Sequence, residues 1–219
     1  MLLILTGDIQ IGKTRWLEGC VERLERAGVA CPGVLAPGVW HRQADGSLDK
    51  LGIDNLLLPT RETVRFAVRE DLARSGGTFD ASSQAARAQL AWHISDEAIE
   101  RVNRHFAELD RQVEAVRDAQ GAPSDSGGRH ARGQRALLVI DELGQLELLR
   151  NGGLTEAVRR LEAGPRGFYA HAVVVVRDKF GLVECAEGRL ADAWGGSERI
   201  APTPAAWDAW LAPLADTAG

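Results

Sequence analysis

An α/β fold, with parallel-type strands and an antiparallel meander set among them, is predicted by three observations. The chain opens on an apolar run, Leu2 to Leu5, followed by a glycine-bounded loop and an amphipathic helix. Two later runs, Ala136 to Ile140 and Ala172 to Val176, are apolar at every position, as strands buried on both faces are. Helical patterns alternate with these strands, which is the order of an α/β sheet.

The elements follow in order. Leu2 to Leu5 is the first strand. Arg15 to Arg26 carries Trp16, Leu17, Cys20, Val21 and Leu24 on one helical face, and Gly28 stops it. Val29 to Trp40 is apolar but broken by Pro32 and Pro37, so an irregular strand is expected there. Ala44 to Ser47 is a turn and Leu51 to Leu58 a strand. Val64, Phe66 and Val68 alternate with Arg65 and Arg69, the pattern of a half-exposed strand after the Pro59 to Glu62 turn. Residues 34 to 70 therefore read as an antiparallel meander. Ser75 to Ser83 reads as loop. Gln89 to Ile94 reads as a further strand, although Ala85 to Leu90 also tolerates helix.

Ser95 caps a long helix, Asp96 to Ala119, whose apolar face is Ala98, Ile99, Val102, Phe106, Leu109, Val113 and Val116. Residues 120 to 135 are rich in Gly, Ser and Arg, and are expected to form a mobile surface loop. His130 and its arginines read there as solvated charge, the alternative being contact with an anion. Helices are expected over Gly153 to Ala163 and Leu182 to Ala193, a short strand at Arg199 to Ala201, and a closing amphipathic helix over Ala205 to Leu214. No internal repeat is seen, and the 219 residues are read as one domain, 1–219.

The first loop carries the chemistry. Gly7-Asp8-Ile9-Gln10-Ile11-Gly12-Lys13-Thr14 fits G-x-x-x-x-G-K-[ST], the phosphate-binding loop, between the strand and helix that the motif requires. Successive backbone N–H groups of such a loop turn inward on a phosphate, and the helix behind it aims its positive end at the same place. Gly12 leaves room for the phosphates. Lys13 reaches the β- and γ-phosphates, and the Thr14 hydroxyl is a hard oxygen suited to Mg²⁺.

The strand Ala136 to Ile140 ends in Asp141-Glu142. An acid in that position is the other half of a phosphate-loop site: Asp141 holds Mg²⁺ through water opposite Thr14, and Glu142 orients and deprotonates an attacking water. Arg177, the first residue past the strand Ala172 to Val176, is a candidate for stabilising charge on the transferring phosphoryl group. The alternative for Arg177 is a surface ion pair with Asp178 or Glu184. Glu147 reads as a solvated helix-face acid, the alternative being that it orients neighbouring groups. No Asn-Lys-x-Asp run is present to read guanine, so the base preference stays open.

Composition sets the limits. The net charge of −5 and pI near 5.6 argue against a broad nucleic-acid surface. Leu2 to Leu5 is too short for a membrane span or export signal, so a cytoplasmic protein is expected. Cys20, Cys31 and Cys185 are isolated and read as buried thiols, without structural zinc or a disulfide framework.

GDIQIGKT, LLVIDELGQLEL at Leu137 to Leu148 and the late strand ending in Arg177-Asp178 resemble the thermostable, or cancer-related, nucleoside-triphosphatases, small phosphate-loop proteins. Asp141, Glu142, Gly144, Glu147 and Leu148 match that family's second motif, and Pro32 to Val34 with Leu51 to Asp54 resemble its meander. The resemblance implies the phosphate-loop NTPase fold, with a mixed, mostly parallel sheet and helices on both faces. It also implies Mg²⁺-dependent hydrolysis of several nucleoside triphosphates to diphosphate and phosphate, with ATP or GTP as the partner. The chain departs from the pattern at Ala36 to Trp40, at Gln145, and in the insertion at 120 to 135. Two further readings stay open: a phosphotransferase with an acceptor under the meander or the 120 to 135 loop, and a nucleotide-dependent switch using Trp40 and Trp92 as a protein interface.

Overall fold

A computed structural model describes residues 1–119, 136–165 and 169–216. The mobile-loop expectation for 120 to 135, with His130, lies outside the described residues. The strands among them are β1 (Leu2–Leu5), β2 (Gly33–Leu35), β3 (Gly38–Arg42), β4 (Leu48–Leu58), β5 (Thr63–Arg69), β6 (Trp92–Ile94), β7 (Ala136–Leu143), β8 (Tyr169–Val176) and β9 (Ser197–Ile200). They form one mixed sheet in the order β6-β5-β4-β2-β7-β8-β1-β9, with β3 paired to β4. From β2 to β9 the pairings are parallel, and from β2 through β4 and β5 to β6 they are antiparallel.

The all-apolar runs sit where burial on both faces demands them. Leu2, Ile4, Leu138, Ile140, Val174 and Val176 point into one core. Leu3, Leu5, Leu137, Val139, Val173 and Val175 point into the other. The first core is closed by α4 (Asp96–Ala119), α6 (Thr155–Glu162) and α7 (Leu182–Leu190). The second is closed by α1 (Lys13–Arg26) and a helical segment that runs from Pro204–Ala206 through a π-turn, Trp207–Leu211, to Ala212–Asp216. Helices thus cover both faces, as the resemblance implied.

Two close contacts lock β2 against its neighbours. Gly33 has φ +135°, and a Cβ there would lie 1.8 Å from the Val139 carbonyl oxygen. The buried His105 ring on α4 meets the Gly33 carbonyl through Nε2 at 2.9 Å. Burial pushes the His105 pKa below its ordinary value. Ser95 does cap α4, accepting the Ala98 N–H at 3.1 Å.

Several sequence expectations are corrected. The Val29 to Trp40 run is two strands, β2 and β3, broken at Ala36-Pro37. The Gln89 to Ile94 strand is confined to β6, and a short helix, α3 (Gln84–Arg87), precedes it. Two short helices carried no periodic signal: α2 (Glu70–Ser75) and α5 (Gln145–Leu149). Cys20 and Cys31 are buried thiols, whereas Cys185 is only half-buried.

Candidate functional site

The motif residues meet at the carboxyl edge of the parallel strands. β8 lies between β1 and β7, so the ends of β1 and β7 are about 10 Å apart, two strand spacings. The loop Gly7 to Gly12 leaves β1, and Lys13 and Thr14 open α1 above the gap. Arg177 ends the strand in the middle, and Asp141 and Glu142 lie on the far strand. In an open α/β sheet this edge is where ligands bind.

The loop has the backbone its sequence asks for. Gly7, Gln10 and Gly12 all have positive φ, at 123°, 64° and 90°. A Cβ at Gly7 would come within 2.7 Å of Ile11 Cδ1. Asp8, Ile9, Gln10 and Ile11 are exposed, leaving the amides as the inner surface. The Lys13 ammonium folds back on the loop and donates to the Gly7 and Asp8 carbonyls at 2.8 and 2.6 Å. Burial lowers the Lys13 pKa, and the carboxylate of Glu142 opposes that shift.

Asp141 is only 3% exposed. Its Oδ2 accepts the Ala36 N–H at 2.9 Å, and its Oδ1 accepts the Thr14 hydroxyl at 3.3 Å. Burial pushes its carboxyl up to about 7. Ala36, immediately after β2, entered the sequence reading only as the start of a departure from the family pattern. Its backbone sets the orientation of Asp141, a role the side-chain sequence does not announce.

Thr14 and Asp141 fit a divalent cation by their chemistry. Both present hard oxygens, and a cation between them would relieve the burial of the carboxylate. Among the described residues no group of three or more His, Cys, Asp or Glu side chains is placed to hold a metal. A hard cation held by these two oxygens would take the rest of its shell from water and substrate phosphate.

Glu142 sits differently from its neighbour. β7 does not stop at Ile140; it continues to Leu143 across a register shift against β8 between Ile140 and Leu143. Glu142 lies in that shift with φ 80°. A bulge re-aims the side chain it carries, and a non-glycine residue in this region is a local strain of about 1–3 kcal/mol. Its carboxylate makes an ion pair with the Arg177 guanidinium. The expected alternative partner Glu184 instead pairs with Arg199 at 3.2 Å.

Glu147 corrects an expectation. It is buried, not solvated, and accepts the Gly144 N–H at 2.9 Å and the Leu154 N–H at 3.0 Å. Its carboxylate ties the start of α5 to the entry of α6, bracing the loop behind Glu142. Burial raises its pKa, against those two donors.

Lys50 was missed. It stands on β4 with its ammonium 5.8 Å from the Trp40 ring and 5.5 Å from the Trp92 ring. Burial lowers its pKa, and Glu142 opposes the shift, so the meander presents a second amine toward the acids. Trp40 and Trp92, the aromatic residues of the switch alternative, flank this amine. A cavity of about 350 Å³ opens beside Asp141, Glu142 and Arg177 and runs under the meander.

A phosphate-loop α/β fold is what these elements make together. No family model matches the chain, and no curated protein matches it. A solved structure described as the solution structure of a human cancer-related nucleoside triphosphatase is similar to it, with a TM-score of 0.57 and 18% identity over 98% of this chain and 95% of that chain. At that identity the likeness shows the fold, and it agrees with the resemblance read from the motifs.

Proposed function

We propose that the chain is a Mg²⁺-dependent nucleoside triphosphatase that releases nucleoside diphosphate and phosphate, with ATP or GTP among its substrates. The observation that carries this reading is the convergence of Lys13, Thr14, Asp141, Glu142 and Arg177 on one strand edge, with Glu142 turned out of the strand alternation by a bulge. The structurally similar human protein is named a nucleoside triphosphatase, which supports the same class of reaction.

The loop amides and Lys13 bind the phosphate chain, Lys13 exchanging the Gly7 and Asp8 carbonyls for phosphate oxygens. Thr14 and Asp141 would hold Mg²⁺, whose charge neutralises the β- and γ-oxygens when it is bound. Arg177 exchanges its Glu142 partner for the γ-phosphoryl oxygens, where negative charge shifts during transfer. That exchange frees the Glu142 carboxylate to orient a water and take its proton.

The test is to incubate the purified protein with each nucleoside triphosphate and Mg²⁺ and to identify every phosphorus-containing product. Diphosphate and inorganic phosphate in equal amounts are expected. No turnover of any nucleotide would refute the reading.

A further inference from the structure

A cavity adjoins Glu142 beneath the meander. Its floor is apolar, built from Ile53 on β4, Phe66 on β5, Trp92 on β6 and Leu146 on α5. Its volume of about 350 Å³ is within the range of small-molecule sites. Asp141, Glu142, Glu147, Arg177 and Lys179 line it as well. A triphosphate held by the loop with its γ end at Glu142 has its nucleoside at the opposite end of the phosphate chain, so the cavity lies on the γ side.

Asn55 is the second observation. It lines the cavity, it is 2% exposed, and its side-chain amide has no hydrogen bond among the described residues. Buried amides in native proteins are nearly always paired. An unpaired one in a ligand-sized cavity has its donor and acceptor free for a bound molecule.

We propose that this cavity binds a neutral ring alcohol as phosphoryl acceptor. The molecule has a flat apolar body lying against Phe66 and Trp92, one polar group paired with Asn55, and a hydroxyl reaching Glu142. The inference rests on the nucleotide and Glu142 assignments made above and adds a second substrate to the same site. The acceptor oxygen attacks the γ-phosphorus, and the bond from that phosphorus to the β–γ bridging oxygen breaks. The electron pair leaves with the nucleoside diphosphate, and the hydroxyl proton passes to the Glu142 carboxylate. The apolar floor keeps water from competing once the ring is seated.

The experiment supplies γ-labelled ATP and Mg²⁺ with three probes in turn: benzyl alcohol, pyridine-3-methanol and thymidine. Label is followed into phosphate monoester and into inorganic phosphate. At least one probe is expected to yield a labelled monoester. Asn55→Leu and Ala67→Leu, the second narrowing the cavity from β5, should each cut that ester at least about tenfold. Hydrolysis without alcohol should stay within about twofold of the parent, since the phosphate loop, Thr14, Asp141, Glu142 and Arg177 are all retained. Two variants are used so that failure of one to fold leaves the other informative.

Free phosphate with no monoester from any probe overturns the inference and leaves the hydrolase reading standing. Raised KM for ATP in both variants also overturns it, because the cavity would then hold the nucleoside. Monoester without hydrolysis supports the acceptor site and overturns the hydrolase reading, and no turnover of any kind overturns both.

Discussion

Asp141 carries a carboxyl that burial has pushed up to about 7. A folded-state pKa raised above the ordinary value means that the nucleotide-free protein binds this proton more tightly than the unfolded chain does. Stability from it is present at low pH and lost as the pH rises through about 7. Cation binding has the opposite sign, because it requires the carboxylate. Affinity for Mg²⁺–nucleotide should therefore rise about tenfold between about pH 6 and about pH 8, and Asp141→Asn should lose that part of the dependence. Titration of binding by calorimetry at the two pH values checks it.

Arg177 makes a second prediction at this scale. Arg177→Ala should lower kcat more than it weakens nucleotide binding, because its charge acts as negative charge redistributes. Arg177→Lys should recover only part of the rate, since the planar fork is lost. Unchanged kcat with a lowered melting temperature would make Arg177 a structural partner of Glu142 and nothing more.

At the scale of elements, close approach of strands decides what the site tolerates. Gly33 leaves no room for a Cβ against the Val139 carbonyl, and its φ of +135° disfavours any side chain. Gly33→Ala must push β2 off β7, which also moves the Ala36 N–H away from Asp141. A loss of at least about 3 kcal/mol is expected, by overpacking and strain together. Denaturant unfolding measures it, and an effect below about 1 kcal/mol would show that the strand pair relaxes freely.

Legibility differed from element to element for physical reasons. β7 and β8 were plain because burial on both faces demands apolar residues at every position. The phosphate loop was plain because its glycines, lysine and threonine fall at fixed spacing. Positions where backbone geometry overrides pattern were not legible. No glycine marks the bulge that turns Glu142, and five residues of α5 are too few to show a period. Glu147 was misread because a carboxylate buried to satisfy two backbone amides looks, in sequence, like one facing water. Lys50 and Asn55 stand in a strand otherwise rich in leucine, where polar residues read as outward-facing. The roles of Ala36, Lys50 and Asn55 depend on what the fold brings to them across the sheet.

The whole molecule couples these parts through one sheet with a core on each face. No described helix is long and apolar enough to cross a membrane. The phosphate loop belongs to β1 and α1, whereas the acids belong to β7, and β8 carries Arg177 between them. A nucleotide bound across that edge links elements from both cores. At about a hundredfold excess over Kd it should stabilise the fold by about 2.7 kcal/mol, or roughly 5–10 °C in Tm for a chain of this size. Lys13→Ala should abolish most of that shift while leaving the nucleotide-free Tm nearly unchanged, because the hydrogen bonds of the ammonium go to carbonyls of the loop itself. A full shift in the variant would mean that the nucleotide binds elsewhere.

Glu142, aimed by the bulge in β7, is expected to perform the proton transfer at a nucleotide site built on the loop. Single-turnover hydrolysis of Mg²⁺–ATP by Glu142→Gln, with nucleotide affinity measured on the same preparation, tests it most directly. The expected result is a rate lower by at least about a hundredfold with affinity kept within a few-fold, since proton transfer contributes to the chemical step and not to ground-state binding. A folded Glu142→Gln protein that hydrolyses ATP at the parent rate would contradict the account.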